Sequence, residues 1–320
     1  MPSIQARMLN KIFQKMPKDP PGVEHDFVAE REQNARRKPP KLPRNVSLEE
    51  MDFDGISGEI LRPVLGEKER FEGNTDDLSE PVQLIWYIHG GGFTTGSARE
   101  SRDLTQYLVS KYRVPCIATN YRLSPEHRWP AHLDDCMKVY QCLKDRGATP
   151  GKILLMGASA GGTLALSLSL RLATEEKEQP LMVAAFSAWT DQTLSLPSHT
   201  KNIDTDYMLG DALGRREQFQ AVFGIEGPKG HDDILKNPLV SPFYGNYTKT
   251  APIFFAASDS EFLYDDSRLL YERLKGEGHL TELDIQHDVC HAYASLPMMP
   301  EAKDTLDKMW NFAHRKGNKR

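Results

Sequence analysis

Two stretches of the chain, Leu84-Ile85-Trp86-Tyr87-Ile88 and Ile253-Phe254-Phe255-Ala256-Ala257, are apolar at every position. A strand without polar alternation must be covered on both faces, as parallel strands between two layers of helices are. The pattern predicts strands at Gly55–Leu61, Val82–Ile88, Val114–Thr119, Ile153–Met156, Met182–Ser187, Ile253–Ala257 and Thr281–Gln286. Helical periodicity fills the intervals near Ser101–Tyr112, Pro130–Asp145, Gly162–Thr174, Asp266–Lys275 and Ala302–His314. The alternation gives an α/β fold, and residues 191–225, polar and then helix-like, interrupt it as an insertion would. Upstream, Ile4, Met8, Leu9, Ile12, Phe13 and Met16 share one side of a helix, with Arg7, Lys11 and Lys15 elsewhere. Such a helix is expected to cover the protein's own core or pocket, although a basic amphipathic helix can also lie on a membrane surface. Residues 17–45, rich in proline and charge, read as an arm with a helix from about Val23 to Arg37.

Composition narrows the function classes. Hydrophobic residues at 39% and charged residues at 27% describe an ordinary globular protein. A net charge of −5 gives no reason to expect nucleic acid as a partner. No apolar run approaches the roughly 20 residues that span a bilayer, so stable membrane insertion is not expected. The start of the chain lacks the apolar core of a secretory signal, which points to the cytoplasm. Cys116, Cys136, Cys142 and Cys290 show neither CxxC nor zinc-ligand spacing and read as reduced, packed thiols.

Behind the predicted strand Ile153–Met156 stands Gly157-Ala158-Ser159-Ala160-Gly161-Gly162. A strand running through G-x-S-x-G into a helix is a nucleophile elbow. The turn lifts the serine hydroxyl to the carboxyl end of the sheet and needs small neighbours two residues to either side. A second motif, His89-Gly90-Gly91-Gly92-Phe93, follows the strand ending at Ile88. Consecutive glycines let backbone N–H groups face inward, where two of them, with the N–H of Ala160, can hold the oxyanion of a tetrahedral intermediate. The chain order of such hydrolases then places the acid after Ile253–Ala257, where Asp259 and Glu261 stand, and the histidine after the last strand, where His287 and His291 stand. The histidine would accept the serine proton, and the carboxylate would hold its tautomer and stabilise the imidazolium.

From about residue 45 to the C-terminus the chain resembles the hormone-sensitive-lipase-like α/β-hydrolases, the bacterial family IV esterases. The likeness rests on the glycine triplet and the elbow. It also rests on Asn120-Tyr121-Arg122-Leu123-Ser124-Pro125-Glu126-His127 with Trp129-Pro130-Ala131, and on Trp189-Thr190-Asp191. It implies a mostly parallel eight-stranded sheet flanked by helices, with residues 46–320 as the catalytic domain. The helices of residues 1–45 and the 191–225 insertion would form a cap that controls access and acyl-chain length. Laying the family's acid loop on Glu261-Phe262-Leu263-Tyr264-Asp265-Asp266 puts Glu261, with Asp259 as runner-up, in the acid position. His291, before Ala292-Tyr293, matches the family's histidine. Gly91, Gly92 and Ala160 would be the oxyanion donors, and Tyr121, Arg122 and Glu126 would tie the adjoining loop to the elbow. Ala158 departs from the family's usual Asp and removes a polar anchor. Phe93, Trp189 and Tyr207 are candidate pocket walls, although such aromatics also serve as packing.

The implied activity is a carboxylesterase acting on short- to medium-chain esters by acyl transfer, with no metal and no organic cofactor; a homodimer is compatible with the likeness. Two other readings compete. A catalytically inactive relative could bind a small ligand under the cap, although such a receptor is expected to lack the histidine. A narrow deacetylase or amidase would share the same triad, since pocket shape decides the leaving group. The echo of H-E-x-x-H in His287-Asp288-Val289-Cys290-His291 requires a helix to make a metal site, and the preceding Thr281–Ile285 alternates like a strand.

Overall fold

The computed structural model describes residues 1–16, 25–64, 82–210 and 212–317. The Pro20-Pro21 part of the arm and the expected helix start at Val23 lie outside these residues. Eight strands form one sheet: β1 (Val46–Asp52), β2 (Ser57–Pro63), β3 (Leu84–Ile88), β4 (Cys116–Thr119), β5 (Ile153–Ala158), β6 (Met182–Phe186), β7 (Ile253–Ser258) and β8 (Thr281–Gln286). Their order is β1-β2-β4-β3-β5-β6-β7-β8. The strands from β4 to β8 in that order run parallel, while β2 is antiparallel to both β1 and β4.

The all-apolar strands behave as their composition requires. Along β3, Trp86 and Ile88 enter one core while Ile85 and Tyr87 enter the other. The first core is closed by the helices Ala131–Asp145 and Ala160–Thr174, through Leu133, Val139, Leu164 and Leu168. The second is closed by Arg102–Tyr112 and Pro300–Gly317, through Leu104, Leu108, Leu306 and Met309. Burial of each such Leu or Met contributes roughly 1.5–3 kcal/mol, so the two cores dominate the stability of the sheet.

Strand β1 has no counterpart among the strands expected from the pattern. Its sequence Val-Ser-Leu-Glu-Glu-Met-Asp is largely polar because it is an edge strand with one partner, and only Val46, Leu48 and Met51 reach the cores. The helix after β5 begins at Ala160, two residues earlier than expected, because Gly161 and Gly162 belong to its first turn. A Cβ at Gly161 would lie 2.1 Å from the carbonyl oxygen of Ile88, so backbone contact rather than helix propensity selects glycine there.

The N-terminal helix Ile4–Lys15 is capped by Ser3, whose hydroxyl accepts the Ala6 N–H at 3.1 Å. The face it presents to the protein differs from the expectation. Ala6 and Asn10 are buried and Leu9 and Phe13 pack on the second core, whereas Ile4, Met8 and Ile12 are exposed. The second helix, Phe27–Ala35, is capped by the Asp26 carboxylate, which accepts the N–H groups of Val28 and Ala29. No helix among the described residues is long and apolar enough to cross a membrane. The four cysteines are free thiols, with Cys116, Cys136 and Cys290 buried.

Candidate active site

The chain leaves β3 toward β4 on one side of the sheet and returns to β5 on the other. Loops diverge at such a point, and a crevice opens at the carboxyl ends of the two strands. Ile88 lies opposite Gly157 in the β3–β5 ladder, so the segments that follow them, His89-Gly90-Gly91-Gly92 and Ala158-Ser159, face each other there. Ser159 still donates its N–H to Phe186 of β6 at 2.8 Å, and then the backbone turns sharply, with φ 54° and ψ −125°. A side chain held at positive φ costs about 1–3 kcal/mol. The serine occupies the N-cap position of the fifteen-residue helix Ala160–Thr174, where the helix dipole favours negative charge.

The glycine triplet forms the opposite wall. Gly91 has φ 100°, and a Cβ there would lie 2.3 Å from the Thr95 carbonyl oxygen, so the turn needs glycine. Among the described residues the amides of Gly91 and Gly92 meet no acceptor. Ala160 is fully buried, and its amide belongs to the first helical turn. The loop is fixed from behind: the Tyr121 hydroxyl donates to the His89 carbonyl at 3.0 Å, and the His89 ring stacks on Tyr121 at 4.3 Å. Burial pulls the His89 imidazole down to about 4, against the Gly90 carbonyl 2.8 Å from Nδ1. His89 is therefore neutral near pH 7, with Nδ1–H donating to that carbonyl. These contacts anchor the loop although Ala158 supplies no carboxylate. Arg122 lies further back, clamped by Nε and Nη2 on buried Asp135 at 2.9 and 2.7 Å. Glu126 departs from its expected place: it pairs with Arg31 of the second helix and so ties the arm, not the elbow.

The candidate acids and histidines separate into two pairs. Glu261 Oε2 accepts from His291 Nδ1 at 2.9 Å, both side chains being buried. Asp259 instead holds His287 Nδ1 at 2.6 Å, on a histidine whose side chain is 79% exposed. The backbone from β8 to His291 is not helical, so His287 and His291 do not share a helix face. Among the described residues no group of His, Cys, Asp and Glu is arranged to hold a metal ion.

Burial opposes a charged His291 imidazole, but the hydrogen bond and charge of Glu261 outweigh it, with Asp206 and Asp266 adding to the pull, and hold it above its ordinary value. Burial pushes the Glu261 carboxyl upward, against the pull of His291. The second oxygen of Glu261 accepts the Ser258 N–H at 3.0 Å, and its carbonyl accepts Asn202 Nδ2 at 2.9 Å. The Phe262 N–H donates to Asp206 at 2.8 Å, and Ser187 Oγ accepts the Ala292 N–H at 3.1 Å.

Ser159 and His291 line one cavity of about 440 Å³ together with Gly91 and Gly92. Its far side comes from His25, Phe27 and Glu30 of the arm and from Met208, Leu209 and Gln218 of the insertion. Gln218 Nε2 donates to the Gly92 carbonyl, joining the insertion to the glycine loop. The three aromatic candidates are elsewhere. Phe93 and Trp189, each at most 1% exposed, pack with their centroids 6.3 Å apart in the core beneath the cavity, and Phe93 also packs on Trp129 and His132. Tyr207 is half-buried, but the neighbouring Met208 and Leu209 line the cavity in its place. Ser187, Asn202, Asp206, Ser258 and Gln218 were not singled out from the sequence. Only Ser187 and Ser258 carried a signal, as residues at the carboxyl ends of β6 and β7.

Residues 85–295 match the model of the alpha/beta hydrolase fold family. An esterase of Acinetobacter venetianus is 32% identical over 233 residues, covering 72% of this chain and 75% of that one. An acetyl-hydrolase of Streptomyces hygroscopicus is 27% identical over 226 residues, covering 70% and 73%. The crystal structure of a hormone-sensitive lipase from a metagenome library superposes with TM-score 0.80 at 25% identity, covering 99% of this chain and all of that one.

Proposed function

The chain belongs to the alpha/beta-hydrolase-fold family, within its hormone-sensitive-lipase-like esterases, and from that premise we propose that it is a serine carboxylesterase of short- to medium-chain esters. Ser159 is the nucleophile, His291 the general base and acid, and Glu261 the carboxylate that orients it. The observation that carries the reading is the 2.9 Å contact of His291 Nδ1 with buried Glu261, in a cavity that His291 shares with Ser159. With Nδ1–H engaged by the carboxylate, Nε2 is the nitrogen left to take the serine proton.

In this reading the Ser159 hydroxyl attacks the ester carbonyl as His291 accepts its proton. The carbonyl oxygen becomes an oxyanion held by the N–H groups of Gly91, Gly92 and Ala160. His291 then protonates the departing alkoxide, leaving an acyl-Ser159 ester. A water deprotonated by His291 attacks this ester and releases the carboxylic acid. The arm and the insertion act as a cap. A cavity of about 440 Å³ lies in the lower part of the roughly 300–1,000 Å³ common to small-molecule sites, which supports acyl chains of modest length.

Initial rates on p-nitrophenyl esters from acetate to palmitate, with Ser159→Ala as control, test this. Turnover on the shorter esters that vanishes in the control is expected. A well-folded protein inert toward every ester, or one whose turnover survives Ser159→Ala, would refute it.

A further inference from the structure

The exposed large apolar side chains of the described residues are concentrated at the N-terminus. Ile4, Met8 and Ile12 recur every four residues and are 66%, 60% and 53% exposed, with Met1 and Met16 exposed at either end. Residues four apart lie one above another on a helix, so these side chains form a single stripe. Arg7, Lys11 and Lys15 repeat with the same spacing and make a parallel row beside it. All three are exposed, and none has an ion-pair partner among the described residues. The first sixteen residues contain no Asp or Glu, although the whole chain carries a net charge of −5.

The opposite face fixes the helix rigidly. Ser3 bonds Glu301 through its N–H at 2.6 Å and its hydroxyl at 2.9 Å, and Asn10 Nδ2 donates to the Asp288 carbonyl at 3.0 Å. Asp288 belongs to the same loop as His291, and further along it Ser295 and Leu296 line the cavity. The helix is therefore spent on its inner face and unsatisfied on its outer one. A long apolar row costs solubility unless something covers it.

We propose that this helix docks on an anionic lipid surface, lying in the plane of the interface with its apolar row in the acyl boundary and its basic row against the headgroups. Charge selects this occupant. Antiparallel self-pairing of the stripe would set basic row against basic row. The docked pose would bring the loop bearing His291, and with it the cavity, close to the lipid.

The test is flotation of the full chain with vesicles of phosphatidylglycerol and phosphatidylcholine, or of phosphatidylcholine alone, at 50 mM and 500 mM salt. The protein is expected to float with the anionic vesicles, and to partition at least tenfold less at high salt or onto phosphatidylcholine alone. Met8→Glu/Ile12→Glu should lower partition at least tenfold, with the melting temperature and the turnover of a water-soluble ester unchanged. Arg7→Gln/Lys11→Gln/Lys15→Gln should do the same while leaving the apolar row intact, so the proposal does not depend on one variant folding. Failure to float with anionic vesicles, equal flotation of the variants, or salt-independent binding would overturn it. So would a dimer abolished by Met8→Glu/Ile12→Glu in a protein that never floats, which would assign the stripe to a second copy. The overturning outcomes are read from flotation and oligomeric state alone and do not depend on the catalytic assignment.

Discussion

Replacing Glu261 by Gln tests the proposed triad at the point where the structure constrains it most. Gln is nearly isosteric and leaves no cavity, so the change removes charge and little else. The Ser258 N–H, 3.0 Å from Oε1, still requires an acceptor there. The Gln carbonyl oxygen must take that place, which turns its NH₂ toward His291 Nδ1. Facing a donor, Nδ1 becomes the acceptor and the proton moves to Nε2, so the nitrogen that should accept the serine proton already carries one. The lost charge adds to this. With Nδ1 and Oε2 2.9 Å apart, the imidazolium and carboxylate charge centres are about 4 Å apart, worth about 4 kcal/mol at an effective dielectric of 20. At 1.36 kcal/mol per tenfold, that is about 10³ in kcat. Asp259→Asn should change kcat less than about threefold, because its partner His287 stands in solvent. The assay is kcat on p-nitrophenyl butyrate, with thermal unfolding as the control for fold. Glu261→Gln retaining more than a tenth of the wild-type kcat, or Asp259→Asn losing most of it, would refute the assignment.

Three further outcomes are expected. His291 is held above its ordinary value by Glu261, and a protonated imidazole cannot accept the serine proton. The acid limb of kcat/KM should therefore have its midpoint above about 6.5 and move down in the residual activity of Glu261→Gln; a midpoint below 6 would contradict this. Ser159 sits at φ 54°, so Ser159→Gly should be about 1 kcal/mol more stable than Ser159→Ala, read as a higher melting temperature although neither variant turns over. Gly161→Ala would push a methyl to 2.1 Å from the Ile88 carbonyl oxygen and 2.4 Å from that of His89. A cost of about 3 kcal/mol or more is expected, and a variant melting within 2 °C of wild type would show that the elbow tolerates the shift.

What the sequence makes legible depends on how far away the cause of each feature lies. Strands β3 to β7 lie within about two residues of expectation, because burial between two helical layers writes itself into each strand's own composition, and the edge strand β8 occupies the expected Thr281–Gln286 because its residues alternate. The elbow is legible for a related reason. Gly161 answers to the backbone at the end of β3 and Gly157 to the backbone of the helix's first turn, at distances no side chain could relieve. Strand β1 is invisible because only Val46, Leu48 and Met51 touch the cores, too few and too irregularly spaced to set a period. The N-terminal helix shows the limit of periodicity: it reveals that a stripe exists but not whether the stripe faces the protein. Here Ala6 and Asn10 face inward with Leu9 and Phe13 beside them, while Ile4, Met8 and Ile12 face out. Phe93 and Trp189 illustrate the same limit, since an aromatic beside a motif can wall the cavity or fill the core under it.

The choice between Glu261 and Asp259 lies deeper still. Both follow β7 and both find a histidine after β8, so neither strand order nor residue type separates them; only the loop likeness favoured Glu261. The structure distinguishes them by burial: Asn202 bonds the carbonyls of both, but Asp206 holds the Phe262 N–H beside the buried Glu261, whereas the Asp259 side chain stays partly in solvent. The segment that lines the cavity thus also braces the backbone beside the carboxylate that reaches His291. Gln218 repeats the coupling on the other wall by bonding the Gly92 carbonyl. Divergence of the insertion among relatives would then alter more than chain-length preference. In the proposed reading, an insertion that shifts moves Glu261 and the glycine loop with it, so substrate range and turnover should change together rather than separately.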